Sequence, residues 1–293
     1  MLSIPRYIHE SGRIPSINLG GVTFVQYRSE KSEIRHETCV SQHSLVFIVE
    51  GTKYIHSADG DIVLEKGEAF FCCKGIHLMS EMIPEQGGSF DTVLFFFDDR
   101  MLSGFVDYLA AEESSGKAAG KAVFRINVSE QIKIFLSSMM PLFESSLGEE
   151  DEFLRLKIRE LLHYLCSSAG NEDFLNFLLD CRNGLKTDLS AIMEQYFNKN
   201  ISLGDMAELS GRSLSTFKRE FSRTFNTTPA KWIRERRLSW AAQLLRNSNK
   251  NITEITYDSG YDSLSHFSSL FRKQYGMTPR EYRAELNPLK SEL

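Results

Sequence analysis

Between Ser202 and Arg283 the chain states one pattern twice, and no fold is open to it that does not accommodate both copies. Leu203-x-x-Met206, Gly211, Ser213, Phe217, Phe221, Phe225 and Thr228-Pro229-x-x-Trp232 return as Ile252-x-x-Ile255, Gly260, Ser263, Phe267, Phe271, Tyr275 and Thr278-Pro279-x-x-Tyr282. The offset is 49 residues at the glycines and 50 from the serines onward. A repeat this long with a single slip specifies two copies of one small supersecondary unit.

Each copy reads as two helices around a tight turn, at about 202–225 and 252–275. An apolar pair three residues apart is followed by a glycine, then by a serine that opens a second amphipathic segment. Gly211 and Gly260 stand where a chain leaving a helix needs positive φ, and Ser213 and Ser263 are suited to be N-caps of the second helices. This is the grammar of a helix-turn-helix. In copy one the spacing puts Leu214, Phe217 and Phe221 on one buried face and turns Ser215, Lys218, Arg219 and Ser222 outward. In copy two the expected buried face is Leu264, Phe267 and Phe271, and the outward one Ser265, Ser268, Ser269 and Arg272. A short, polar, basic face of this kind can enter a DNA major groove.

Pro229 is a favourable first helical residue, and Ala230 to Arg246 contains neither glycine nor proline. Roughly 18 residues at about 1.5 Å each make a rod of about 27 Å. Such a rod can hold two recognition helices about one DNA turn, roughly 34 Å, apart. The stretch Arg237-Leu238-x-x-Ala241-x-x-Leu244-Leu245, Ile252-x-x-Ile255, Gly260-Tyr261-x-Ser263, Phe267-x-x-x-Phe271-Arg272-Lys273, Tyr275-Gly276-Met277-Thr278-Pro279 and Tyr282-Arg283 resembles the C-terminal domain of the AraC/XylS family of bacterial transcription regulators. By position in that family's motif, Ser215, Lys218 and Arg219 fall where base-reading residues sit, with Thr216 on their flank. In copy two Ser269 stands where many members carry an arginine, and Leu264 where a polar base reader is common. Readout there is expected to rest on hydroxyls, His266 and DNA shape, with Arg272 and Lys273 on phosphates. The resemblance implies promoter DNA as partner, contact with RNA polymerase, and a homodimer.

Charge is divided unequally along the chain. Residues 1–182 carry 17 Lys+Arg against 27 Asp+Glu, whereas 183–293 carry 17 against 12. A phosphate backbone repels the first part, so only the second is suited to DNA. No apolar run approaches the ~18 to 20 residues that span a bilayer, the longest candidate being Val93 to Phe97. Met1 to Ser16 lacks the apolar core of a signal peptide, so a cytoplasmic protein without membrane contact is expected. The five cysteines, Cys39, Cys72, Cys73, Cys166 and Cys181, are odd in number and form no C-x-x-C, which suits reduced, buried thiols better than disulfides or zinc. Cys72 and Cys73 are expected on opposite faces of a strand, and a redox switch is the alternative.

From about Ile17 to Phe97 the chain is rich in β-branched and aromatic runs: Val22–Tyr27, Leu45–Glu50, Thr52–His56, Ile62–Leu64, Ala69–Cys73 and Thr92–Phe97. Glycine-bearing turns separate them, as in a barrel or sandwich. The Gly51 and Gly67-Glu68 punctuation resembles the cupin-like barrel that precedes the DNA-binding part in many members of the family. His36, His43, His56 and His77 lie here, but there is no H-x-H and the second cupin motif is only half present. No metal, no cofactor and no enzymatic activity are therefore expected, a cupin-type metalloenzyme being the remote alternative. The barrel interior would hold a small-molecule effector or be filled by side chains; Phe70, Phe71 and Phe95–Phe97 suit either role. Control by a protein partner is the other reading.

After Phe97 the period becomes helical. Helices are expected over Asp99–Glu113, from an N-cap at Ser129 to about Ser146, and over Glu152–Ser167, with a loop at Glu112–Gly120 and a connection over Asn171–Gly184. Each of the two later apolar stripes, Ile132 to Phe143 and Leu154 to Leu165, has two uses open to it: packing on the barrel, or pairing with a second protomer as the family implies. Thr187–Phe197 opens the last domain. The expected fold is α+β in two domains: a cupin-like β-barrel at 1–98 with a helical dimerisation and connecting segment at 99–182, then an all-α domain at 183–293 with two helix-turn-helix units and a linker helix.

Overall fold

The aromatic and β-branched runs of the front half form strands whose alternation feeds two different cores. In this computed structural model, which describes residues 2–12, 14–19, 22–57, 60–109, 121–143, 151–182 and 188–286, the chain divides into two compact units, Met1–Lys186 and Thr187–Leu293. The first contains β1 (Leu2–Ile4), α1 (Arg6–Ser11), β2 (Ser16–Leu19), β3 (Val22–Ser29), β4 (Glu33–Val40), β5 (His43–Glu50), β6 (Thr52–His56), β7 (Ile62–Glu65), β8 (Ala69–Cys72), β9 (Gly75–Met82) and β10 (Phe90–Phe97). Then come α2 (Asp99–Leu109), β11 (Val123–Ile126), α3 (Glu130–Met139), α4 (Asp151–Ser167) and α5 (Glu172–Arg182).

The strands make a five-stranded sheet, β1-β4-β9-β6-β7, and a six-stranded sheet, β11-β8-β5-β10-β3-β2. All pairs are antiparallel except β1 with β4. This is the cupin-like architecture the turns imply. Strand β10 shows how one run serves two layers: Phe90, Leu94 and Phe96 point between the sheets, while Val93, Phe95 and Phe97 point to the other side. That other side is roofed by Leu102 and Phe105 of α2, Phe135 of α3, Leu161 and Leu165 of α4, and Phe174 and Leu178 of α5. Cys72 lies between the sheets and Cys73 on the helix side, opposite faces as expected.

Several expectations need correction. The stretch after Asn171 is no simple connection: α5 spans most of it and buries Phe174, Phe177, Leu178 and Cys181. Strands β1, β2, β4, β9 and β11 carry too little apolar alternation to announce themselves, and β4 reads as charged because Glu33, Arg35 and Glu37 face solvent. Ser129 sits at the N-cap position of α3 but makes no capping bond. The α-helix ends at Met139 and tightens into a 3-10 turn over Met140–Phe143, where Pro141 removes a donor. Both apolar stripes pack on the sheet through Ile132, Phe135, Met139, Ile158, Leu161, Leu162 and Leu165. The expected loop at Glu112–Gly120, the end of the Ser129 helix beyond Phe143 and the boundary at Asn183-Gly184 lie outside the described residues.

Among the described residues the regular structure of the second unit is all helix: α6 (Leu189–Tyr196), α7 (Leu203–Leu209), α8 (Leu214–Phe225), α9 (Pro229–Asn247), α10 (Ile252–Asp258), α11 (Leu264–Tyr275) and α12 (Pro279–Leu286). Phe217 and Phe221 of α8 are fully buried, and the Phe221 ring meets Trp232 in the first turn of α9. Phe267 and Phe271 are buried with Leu238, Ala241, Leu245 and Ile255 at the other end of α9. Each buried phenylalanine contributes about 1.5–3 kcal/mol by leaving water. Among the described residues no helix is long and apolar enough to cross a membrane.

Candidate nucleic-acid interface

The two repeats fold into two helix pairs with matching caps. Ser202 and Asp205 form a capping box on α7, and Asn251 and Glu254 form its counterpart on α10. Gly211 and Gly260 leave those helices at φ +70° and +82°, a region that β-carbon-bearing residues avoid. Ser213 Oγ then accepts from the Thr216 amide at 3.3 Å and Ser263 Oγ from the His266 amide at 3.4 Å, starting α8 and α11. The same grammar read from sequence therefore fixes both turns.

On α8, Ser215, Lys218 and Arg219 are exposed. Thr216 is half-buried and its hydroxyl bonds the cap Ser213 at 2.9 Å, so it belongs to the helix start as much as to the outward face. On α11, Ser265, His266, Ser269, Arg272 and Lys273 are exposed, while Ser268 is half-buried. One expectation fails in both copies: Leu214 and Leu264 do not join the buried faces but are 41% and 43% exposed. Each is the first residue of its helix, and helical side chains lean toward the N-terminus, away from the body of the buried face. Both outward faces thus begin with an exposed leucine.

Helix α9 joins the pairs, and its centre is anchored by an arginine. Arg237 donates from Nε to the Phe197 carbonyl at 2.6 Å, from Nη1 to the Gly260 carbonyl at 2.7 Å and from Nη2 to the Lys199 carbonyl at 2.7 Å. Asn200 Nδ2 donates to both carboxylate oxygens of Asp262 at 2.9 and 3.0 Å. A β-carbon at Gly260 would lie 2.7 Å from the Asn198 carbonyl oxygen. The loop before α7 and the turn before α11 are therefore in direct contact. Arg236 also pairs with Glu194 of α6, at 2.7 Å, and covers the Phe197 ring. Sequence reading placed Arg237 within a motif and missed this role; the available signal was an arginine facing inward between Ile233 and Ala241 on an otherwise apolar stripe.

The first unit holds a narrow cavity of about 60 Å3 between its sheets, walled by Val40, Val46, Phe70, Met79 and Leu94. Of the five phenylalanines expected to suit a pocket, Phe70 lines it, whereas Phe71, Phe95 and Phe97 lie in the helix-side core. Lys53 and Glu81 form a buried ion pair in it at 2.5 Å. Thr38 Oγ1, His36 Nδ1 and Glu81 Oε2 are buried without a hydrogen-bond partner. Burial, helped by the Lys53 charge, holds His36 below its ordinary pKa. By itself this volume is well under the ~300 to 1,000 Å3 typical of small-molecule sites, but it opens into a surface recess of about 770 Å3 framed by Tyr7, Arg28 and Glu37. The other histidines are engaged: His56 Nε2 with Ser80 Oγ at 2.8 Å, and His77 Nε2 with the Cys73 carbonyl at 2.9 Å. Among the described residues no three His, Cys, Asp or Glu side chains group to hold a metal. Burial pushes the Cys73, Cys166 and Cys181 thiols up to about 12, which leaves little reactive thiolate.

Comparison with known proteins adds the context. Residues 43–177 match the family described as ExsA N-terminal regulatory domain, and residues 206–285 match the helix-turn-helix domain family. The chain is 27% identical over 244 residues to the HTH-type transcriptional regulator ExsA of Pseudomonas aeruginosa, covering 83% of this chain and 86% of ExsA. It is 26% identical over 252 residues to the virulence regulon transcriptional activator VirF of Yersinia enterocolitica, covering 83% and 89%. Among solved structures, ToxT from Vibrio cholerae aligns over 92% of this chain and 99% of its own at 15% identity, with a TM-score of 0.44.

Proposed function

Starting from a chain that belongs to the AraC/XylS family and is a DNA-binding transcription regulator, we propose that it is an activator whose recognition helices α8 and α11 read two successive major-groove segments of promoter DNA. The observation that carries this is the pair of exposed faces, Ser215, Lys218 and Arg219 on one helix and Ser265, His266, Ser269, Arg272 and Lys273 on the other, set on one linker helix. Arg219 is the guanine reader, since its planar fork matches O6 and N7. Ser215 and Lys218 flank it, and Leu214 and Leu264 offer apolar contact to thymine methyls. Thr216 and Ser268, half-buried, position the helices and sit at the edge of the interface. Arg272 and Lys273 neutralise phosphates. Activation proceeds through contact with RNA polymerase at the promoter, in line with the activator VirF.

Unit 1 supplies dimerisation through Ile134, Phe153 and Leu156, apolar side chains of α3 and α4 that stay exposed after the stripes are packed. A protein partner acting on unit 1 is the second reading of the signal, beside a small-molecule effector seated where the narrow cavity opens into the recess at Tyr7, Arg28 and Glu37. Competition assays on altered sites at two salt concentrations test the contact assignments. Arg219→Ala is expected to lose about 1 to 3 kcal/mol of discrimination at one base pair. Arg272→Ala is expected to weaken binding across sequences and to lower the salt slope by about 1. One uniform loss for both variants would defeat the distinction.

A further inference from the structure

We infer that Arg237 is a positioning residue that sets the relative orientation of the two recognition helices about the linker, and thereby the half-site spacing this protein accepts; the inference rests on the two-groove reading above. A linker helix alone fixes distance but ties neither helix pair to the other, so the roll of each about it is set only by its own packing on α9. Roll changes where α8 and α11 point around the DNA axis, so something besides α9 must restrain it.

The restraint visible in the structure is a junction that bypasses the linker. Phe197 and Lys199, whose carbonyls accept from Arg237, lie just ahead of Ser202, the N-cap of the first helix pair. Gly260, whose carbonyl accepts from the same guanidinium, lies in the turn of the second pair. A guanidinium is a rigid planar donor set, so three short bonds to three backbone carbonyls fix direction as well as distance. Arg237 also sits over the Tyr261 ring at 5.8 Å, and Asn200 to Asp262 is a second tie across the same seam. Gly260 is the residue that permits the seam, since its missing side chain lets the Asn198 carbonyl approach the turn. The arginine beside the equivalent turn in copy one does something different: Arg212 bonds Glu220 at 2.8 Å and the Ser210 carbonyl at 2.7 Å, inside its own helix pair. The inter-pair junction is thus an addition to the repeat and not a consequence of it.

Moving one half-site by a base pair rotates it by about a tenth of a turn, which a rigid reader cannot follow. The test begins by selecting sites from a random-sequence duplex pool with the full chain, then inserting or removing one base pair between the two contacted segments. The wild-type protein is expected to lose affinity on the order of tenfold on a respaced site, the scale of one lost set of base contacts. Arg237→Met, and Arg237→Lys, which keeps stem and charge but not the fork, are expected to bind the original site more weakly and to lose only about threefold or less on respacing, because base contacts are no longer held in rigid register. A folded variant, shown so by circular dichroism, with the wild-type respacing penalty overturns the inference. So does failure of both variants to fold, which would make Arg237 a stability residue only. If the wild-type chain selects no sequence, or a single uninterrupted segment, the two-groove reading itself falls.

Discussion

His43 is buried where the six-stranded sheet meets α2 and α5, and its environment predicts a stability of unit 1 that depends on pH. Its Nε2 lies 3.5 Å from Asp99, its Nδ1 accepts from the Lys74 amide, and the Lys74 ammonium lies 2.7 Å from Asp99. Phe71 and Phe177 enclose the ring. Burial lowers the His43 pKa despite the Asp99 contact, and burial likewise lowers His36 and His77. A histidine held neutral in the fold binds a proton first in the unfolded chain, so stability is present above the unfolded value of about 6.5 and declines as pH falls through it. Thermal unfolding between pH 7.5 and 5.5 should show a falling midpoint, with a smaller fall in His43→Gln. An unchanged fall in that variant would assign the effect to the other two histidines. The Lys53 and Glu81 pair belongs to this scale too. Buried ions are costly to separate, so Lys53→Met alone is expected to cost about 3 to 5 kcal/mol and Lys53→Met with Glu81→Leu clearly less, measured by urea unfolding.

Helices α8 and α11 each pair fully buried phenylalanines with an exposed first leucine. Phe267→Ala should therefore cost about 3 to 5 kcal/mol of stability. Leu264→Ala, the residue assigned by spacing to the same face, should change stability by less than about 0.5 kcal/mol and act on DNA affinity instead. Equal destabilisation by both would mean Leu264 is core after all. What sequence could and could not show is decided at this level. The helix pairs were legible because both copies obey the 3.6-residue period, and caps and turn glycines agree with it. The leucines misled because spacing gives an angle around a helix and not whether a neighbour reaches its first turn. Strands β4 and β9 stayed hidden because their inward positions include Thr38, His77 and Glu81, which break the apolar alternation that marks a strand. Helix α5 was legible, since its buried Phe174, Phe177, Leu178 and Cys181 have helical i, i+3, i+4, i+7 spacing, but Leu175 and Leu179 beside them blur the contrast between a buried and a polar face. The Arg237 junction joins residues 38 and 40 positions away in one direction and 23 in the other, a relation that no local pattern carries.

At the scale of the molecule, the acidic first unit and the basic second one divide the work, only the second being suited to a phosphate backbone. Among the described side chains of α3 and α4, Ile134, Phe153 and Leu156, at 69%, 45% and 55% exposure, are large apolar residues left uncovered within the chain. Sedimentation at micromolar concentration should show a dimer that Ile134→Asp with Leu156→Lys converts to monomer; a wild-type monomer would remove dimerisation from the account. The central claim is that one chain reads two groove segments with α8 and α11. Chemical footprinting of the full-length protein on a site it selects tests this most directly. The account predicts two protected patches on one face of the duplex, centred about one turn, roughly 10 to 10.5 base pairs, apart, with Arg219→Ala losing protection in one patch only. A single patch, or two patches on opposite faces, would contradict it.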